Sequence, residues 1–162
     1  DVAPSRGLGD VYKRQRMAIV LPQGRFNNSS DKSLREYIAD RCRILAVVGL
    51  HGNVFKPHTG TKTSVLFVQK WDEVLCPKVD DYNIFFATMQ EPSKDNSGDK
   101  IYRNTTGENG ENIPLLDSHG HLIVKHDLFN HDGLTQDGIA EAFAEFAKKE
   151  HLSFFADAPL TK

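Results

Sequence analysis

Two short apolar runs lie close together in the middle of the chain, residues 44–50 (ILAVVGL) and residues 64–68 (SVLFV). Val, Ile and Phe are frequent in both, and each run has the length of a strand rather than a helix. The segment between them, about 12 residues containing Gly52, Pro57 and Gly60, is too short for the crossover helix that a parallel pair needs. The two runs therefore predict an antiparallel strand pair joined by a loop.

The segment before this pair predicts one further strand and one helix. Residues 17–21 (MAIVL) are apolar on both faces, which is typical of a buried strand in a parallel sheet. Residues 31–42 carry an apolar stripe at helical spacing. Strand, helix and strand in this order predict a parallel pair joined by a right-handed crossover. The expected fold is α/β, a mostly parallel sheet that ends in the antiparallel pair.

The second half of the chain is less regular. Residues 71–133 predict a hairpin and loop extension, with a strand at residues 82–89 (YNIFFATM), a turn at Gly98 and an exposed loop at residues 104–112. Residues 134–162 predict a C-terminal helix and a tail. Thr135 is the expected N-cap of that helix, and the tail after His151 is expected to fray.

Residues 1–15 (DVAPSRGLGDVYKRQ) have no amphipathic period and no initiating Met. They are interpreted as a non-native leader and left out of the fold prediction. An ordinary flexible N-terminus is the alternative interpretation.

Composition narrows the class of protein. Twenty Lys and Arg against 22 Asp and Glu give a net charge of −2, without the basic excess typical of a nucleic-acid-binding domain, although part of a larger binder need not have it. Cys42 and Cys76 fit neither a disulfide framework nor a zinc site, which indicates a reducing, cytoplasmic location. Apolar runs stay far below the ~20 residues that span a bilayer, so we expect no membrane segment.

Several chemical motifs are incomplete. Residues 60–63 (GTKT) are similar to a phosphate-binding loop but lack the GxxxxGK[ST] spacing, and a strand follows where a helix is required. No GxSxG nucleophile motif occurs. Four histidines match no zinc-finger spacing and are interpreted as exposed loop residues rather than metal ligands, namely His119, His121, His126 and His131.

Phe55 lies in the glycine-flanked loop between the paired strands, and two interpretations of it remain open. It either plugs the base of the loop against the strands, or it offers a stacking surface to an extruded base. Stacking of this kind is worth on the order of 1–3 kcal/mol per base. Lys62, Lys56 and Arg25 are candidate contacts to DNA phosphates, with a solvated surface charge as the alternative for each.

Three sequence elements occur in a characteristic order: Val20-Leu21-Pro22-x-Gly24, then Leu50-x-x-x-x-Phe55, then Gly60-Thr61-Lys62-Thr63-Ser64. Together they resemble the later part of the catalytic domain of N6-adenine DNA methyltransferases, and in particular the modification subunit of type I restriction-modification systems. The resemblance extends over about residues 16–155. No single element is specific, but their conjunction is.

The resemblance implies the C-terminal half of a Rossmann-like methyltransferase sheet, with residues 16–70 as part of the catalytic domain. It implies S-adenosyl-L-methionine as the methyl donor and adenine in DNA as the acceptor. It also implies the specificity and restriction subunits of a type I system as partners. By position, Phe55 matches the family's aromatic residue that stacks on the flipped adenine, and Lys62 lies beside it.

The chain also departs from the family pattern. The cofactor loop, the ribose-binding acid and the catalytic Asn-Pro-Pro-aromatic motif are not found in it, so no catalytic and no cofactor-binding residue is assigned. We therefore expect a fragment that is inactive alone, with the flank of residues 17–21 exposed. A non-catalytic DNA-binding or subunit-assembly module on the same half-fold, and an unrelated α/β domain, are the alternatives.

Overall fold

A computed structural model describes residues 16–153 of the chain, so the predicted leader and the end of the tail lie outside the described residues. The described part forms six strands and two α-helices, with two short 3-10 helices, Gln23–Phe26 and Ser29–Asp31, between the first strand and the first α-helix. The strands are β1 (Arg16–Pro22), β2 (Cys42–Gly49), β3 (Thr63–Lys70), β4 (Phe85–Thr88), β5 (Asn104–Thr106) and β6 (Asn112–Pro114), and the helices are α1 (Lys32–Arg41) and α2 (Ile139–Lys149).

Four of the strands form one sheet in the order β1-β3-β2-β4. β2 and β3 are antiparallel, with Gly49 opposite Ser64, as the short segment between them predicts. β4 lies parallel to β2, so that β1, β2 and β4 run in one direction and β3 in the other. The α/β class and the antiparallel pairing of β2 with β3 are therefore confirmed. The pair does not end the described sheet as predicted, because β4 lies beyond β2 and β1 lies beyond β3.

The expected pairing of β1 with β2 is wrong. The two strands point the same way, but β3 lies between them and pairs with both. Leu66 of β3 is opposite Ile19 on one side and Val47 on the other. The crossover through α1 therefore leaves a gap one strand wide, which β3 fills.

β1 is an exposed edge strand of the described sheet rather than a buried one. Ile19 is 37% exposed and Val20 is 48% exposed, because β1 pairs along one edge alone among residues 16–153. Met17 and Leu21 are half-buried against the residues under α1. The apolar composition of residues 17–21 predicts a buried strand, and this prediction is wrong for the described part of the chain. The prediction that the flank of this strand is exposed is confirmed.

Each face of the sheet packs against one helix. Ile38 of α1 forms a cluster with Cys42, Leu66 and Val68. On the other face, Ala147 of α2 is fully buried and clusters with Leu45 and Leu152.

The start of the tail is packed rather than frayed, because Leu152 is 3% exposed. Just after it, the Gln69 side-chain amide donates to Ser153 Oγ at 3.1 Å.

α2 begins later than its sequence predicts, at Ile139 with Gly138 as the N-cap. Glu141 Oε2 accepts a 2.7 Å hydrogen bond from the Gly138 N–H, which lowers the pKa of that carboxyl. A Cβ on Gly138 would lie 2.5 Å from the Asp127 carbonyl oxygen. Thr135 is not the cap, because residues 134–138 run beside residues 127–130 before the helix starts.

The extension contains the expected turn and one strand pair that is not expected. Gly98 adopts φ +99°, the left-handed conformation that glycine tolerates best. The strand predicted at residues 82–89 is formed but shorter, as β4. Residues 104–112 are exposed, as predicted, but they belong to the β5–β6 hairpin rather than to a plain loop.

Replacing Leu66 by Ala should lower the free energy of unfolding by about 2–5 kcal/mol, because a buried side chain of the central strand leaves a cavity. Leu66 is 6% exposed. Leu34→Ala on α1 is the matched control: that side chain is 47% exposed, and its loss should change stability by less than about 0.5 kcal/mol. Urea unfolding of both variants measures the difference, and equal effects would contradict the assignment of the core.

Candidate functional site

A cleft of about 650 Å³ lies at the edge of the sheet where β1, β2 and β4 end. In open α/β sheets, ligands bind in the crevice outside the carboxyl ends of the strands. The polar side chains that line this cleft include Gln23, His51, Asn53, Lys62, Thr88 and Gln90.

The loop of residues 51–62 joins β2 to β3 and borders the cleft; we refer to it as the Phe55 loop. It is a series of short turns. His51 Nδ1 accepts from the Asn53 N–H at 3.1 Å, and the Phe55 carbonyl accepts from the Thr59 N–H at 3.2 Å. The loop closes where the Leu50 N–H donates to the carbonyl of Thr63 at 2.9 Å. Its first residues, 51–53, line the cleft.

Phe55 is 37% exposed, and it is not among the residues that line the cleft. Such exposure does not suit a plug buried against the strands. The ring is accessible from solvent and stands on a loop whose beginning forms the cleft rim. Its stacking role stays a prediction.

Lys62 is exposed on the wall of the cleft. Its carbonyl accepts a 2.9 Å hydrogen bond from the Gln23 N–H, which joins the end of the Phe55 loop to the segment after β1. Lys56 is half-buried. The salt bridges formed among residues 16–153 include neither lysine.

Arg25 differs from the two lysines because an acidic partner holds it. Its Nη1 atom donates to both carboxylate oxygens of Asp31, at 2.9 and 3.1 Å. The Asp31 side chain is 13% exposed and that of Arg25 is 57% exposed. Arg25 is therefore not brought into the cleft as a free cation, and its charge is partly neutralised in place.

Thr88 and Gln90 are residues of the cleft that the sequence does not reveal. Thr88 is the last residue of β4 and Gln90 comes two residues after it. The parallel pairing of β4 with β2 does not follow from local spacing. β4 approaches β2 closely at Gly49, where a Cβ would lie 3.3 Å from Thr88 Oγ1. Polar residues directly after an apolar run are the one available signal, and it is weak.

Two of the four histidines expected to be exposed form a half-buried pair instead. His126 Nε2 and His131 Nε2 are 3.0 Å apart, and the Phe129 ring lies 4.5 Å from both imidazole rings. His126 Nδ1 accepts from the Leu128 N–H at 3.2 Å, so the proton of neutral His126 is on Nε2. Burial, then the neighbouring His131 and Arg103, lower the pKa of His126 against the opposing Asp127 and Glu91.

The other two histidines, His119 and His121, are exposed as expected. Within residues 16–153, no group of three or more His, Cys, Asp or Glu side chains is arranged to hold a metal ion. Both cysteines, Cys42 and Cys76, are buried free thiols. No helix in the described part of the chain has the length and apolarity to cross a membrane.

Comparison with known proteins shows what the chain is similar to. Residues 9–114, more than half of the chain, match the family model described as N-6 DNA Methylase. The methylase subunit of the type I restriction enzyme EcoEI from Escherichia coli is 36% identical over 56 residues, which are 34% of this chain and 11% of that protein. The chain thus spans about a tenth of the length of this curated relative.

Among solved structures, the chain is similar to one from Listeria monocytogenes that is assigned to the class I S-adenosylmethionine-dependent methyltransferases. The TM-score is 0.38 at 21% identity, over 47% of this chain and 22% of the other.

The lowered pKa of His126 predicts a pH-dependent stability. In the unfolded chain this histidine has a pKa near 6.5 and binds a proton below that pH. Folded His126 has a lower pKa and binds the proton less readily. The free energy of unfolding is therefore highest above that pH and falls as the pH drops below it. His126→Gln should therefore lose less stability than the wild type between pH 7.5 and about 5.5. Thermal unfolding at a series of pH values measures the slope.

His58→Gln, which changes an exposed loop histidine, is the control and should keep the wild-type slope. Parallel pH curves for the wild type and His126→Gln would contradict the prediction.

Proposed function

The chain belongs to the N-6 DNA methylase family, and we propose that it forms one wall of the target-adenine site in a longer enzyme that methylates adenine N6 in DNA. The motif resemblance to N6-adenine DNA methyltransferases is confirmed at the level of the family. The part played by this chain is a proposal, because the chain spans 11% of the relative that it matches.

The observation that carries the proposal is the position of the Phe55 loop. Its first residues and its last one, Lys62, line the cleft at the carboxyl ends of β1, β2 and β4. An accessible aromatic ring on the same loop suits a flipped base, which enzymes hold by stacking outside the duplex. We assign target-adenine stacking to Phe55 on this basis.

The three cations are proposed as contacts to the DNA backbone, with unequal weight. Lys62 has the strongest case because it is exposed on the cleft wall. Lys56 belongs to the same loop. Arg25 contributes less, since its interaction with Asp31 must weaken before the guanidinium can bind a phosphate fully.

The proposed methyl donor is S-adenosyl-L-methionine, which supplies the methyl group when bound. The described residues do not fit it by themselves. Its ribose hydroxyls and its sulfonium cation call for a carboxylate, and the residues that line the cleft include no Asp or Glu. We propose that the cofactor loop, the ribose-binding acid and the Asn-Pro-Pro-aromatic motif belong to another part of the same enzyme.

The proposed setting is a type I restriction-modification system in the cytoplasm. Its support is the similarity to the EcoEI methylase subunit. DNA is then the substrate, and a specificity subunit and a restriction subunit are the partners. If the wild-type protein binds DNA without methylating adenine, the non-catalytic module is the better interpretation.

In the complete methylase subunit, Phe55→Leu should lower the rate of adenine methylation. Loss of stacking worth on the order of 1–3 kcal/mol corresponds to about a 5- to 150-fold decrease. Phe55→Trp is the matched control, because it keeps an aromatic face and should retain most of the activity. Methylation is measured as transfer of a labelled methyl group to duplex DNA, beside the melting temperature of each variant.

Because Phe55 is 37% exposed and both replacements are large and apolar, both melting temperatures should stay close to the wild-type value. If Phe55→Leu lowers stability while activity per folded molecule is kept, Phe55 is a packing residue and the assigned role is wrong.

The 162-residue chain alone should bind no S-adenosyl-L-methionine, because its cleft offers no carboxylate to the ribose. Isothermal titration calorimetry with the purified chain should give only the heat of dilution. A saturable heat signal would contradict the proposed division of the site, and the complete subunit provides the positive control.

A further inference from the structure

The Phe55 loop is in contact with a turn that the proposed function does not use. This turn, residues 93–100, precedes the β5–β6 hairpin and is joined at its base by the Ile101 N–H donating to the Ser93 carbonyl at 3.0 Å. The Asn53 side-chain amide donates to the Lys94 carbonyl at 3.0 Å. In return, Lys94 Nζ donates to the Lys56 carbonyl at 2.8 Å. Each segment therefore supplies one side-chain donor and one backbone acceptor to the other.

These two hydrogen bonds lie on either side of Phe55. Asn53 precedes Phe55 by two residues and Lys56 follows it directly. Both bonds are part-buried, so breaking one leaves a polar group with poor access to water, which costs about 1–3 kcal/mol. The loop is thus held from outside on both sides of the aromatic ring, through the Asn53 side chain before it and the Lys56 carbonyl after it.

Gly98 makes the contact closer than other residues would permit. A Cβ at this position would lie 2.6 Å from Pro57 Cδ and 2.9 Å from the Lys56 carbonyl carbon. Its φ of +99° also disfavours an L side chain. The tip of the turn therefore rests against the backbone of the Phe55 loop.

The turn is rigid enough to act as a support. Asp95 Oδ1 accepts from the N–H groups of Ser97, Gly98 and Asp99 at 2.8, 2.8 and 3.0 Å. The Asp95 N–H donates to the Asp99 carbonyl at 2.9 Å. A side chain that satisfies several consecutive amides holds a turn in one conformation.

From these contacts we infer that the 93–100 turn is a positioning device for the Phe55 loop, with Lys94 and Gly98 as positioning residues. Its functional side rests on the proposed adenine methylation. A loop of about 12 residues has many conformations, and bracing it before DNA arrives reduces the entropy lost on binding. A displacement of about 1 Å in a positioning group can lower a rate by about 100-fold.

The structural side is tested on the chain itself by amide hydrogen exchange. Lys94→Met removes the donor but keeps most of the aliphatic stem. It should speed exchange in residues 53–60 by about tenfold or more without changing that of β2 and β3. Lys100→Met, which removes an exposed lysine from the other arm of the same turn, should leave the loop unchanged. Gly98→Ala provides a second variant with the same expected effect.

The functional side is tested in the complete methylase subunit. Lys94→Met should lower kcat for adenine methylation by about 10- to 100-fold and leave KM for S-adenosyl-L-methionine unchanged. Lys94→Arg, which keeps a donor for the Lys56 carbonyl, should restore most of kcat. In a Phe55→Leu background, Lys94→Met should have little further effect, because the turn acts through Phe55.

The outcomes separate this inference from the proposed function. Unchanged exchange in residues 53–60 would overturn the inference whatever the enzyme does. Faster exchange with wild-type kcat, or additive effects of the Lys94 and Phe55 substitutions, would overturn the positioning role. If the wild-type subunit does not methylate adenine, the proposed function fails, and the exchange measurement alone decides whether the turn holds the loop.

Discussion

The insertion of β3 between β1 and β2 is the constraint on which the rest of the structure depends. It gives β3 two hydrogen-bonded neighbours, and Val68 of β3 is 1% exposed. It also brings the start of an antiparallel strand to the edge where three parallel strands end. Lys62 and Thr63 reach the cleft for that reason.

Local spacing predicts the antiparallel pair, the loop and both helices, because each depends on residues that are near in sequence. Strand order does not follow in the same way. Whether β3 pairs with β1 depends on whether the crossover through α1 leaves the facing edge of β1 unpaired. The hydrophobic periodicity of the sequence carries no information about that. Residues 17–21 show the same limit, since their apolar character predicts a buried strand while β1 is an exposed edge of the described sheet.

The residues of the candidate site also differ in whether the local sequence or the strand order determines their position. Lys62, which lines the cleft, can be found from the sequence because it belongs to a motif between two recognisable strands. Phe55 belongs to the same motif, and its place in the site stays a prediction. Thr88 and Gln90 cannot be found from the sequence, since they reach the cleft only through the pairing of β4 with β2. Arg25 is of a residue type that commonly binds phosphate. In the structure, however, its side chain is bound by Asp31, which lies six residues later in the chain. Side-chain partners of this kind are decided by tertiary structure.

The Phe55 loop illustrates how a fold combines accessibility with order. In the proposed function the Phe55 ring must be accessible to a base, so its backbone must be held by contacts other than full burial of the ring. Here β2 and β3 fix the two ends of the loop, and the 93–100 turn fixes its middle through Asn53, Lys94 and the close approach of Gly98. The hydrogen bonds involve backbone carbonyls, which any sequence provides. The side-chain requirements of the arrangement are therefore the Asn53 amide, the Lys94 amine and the absence of a side chain at Gly98.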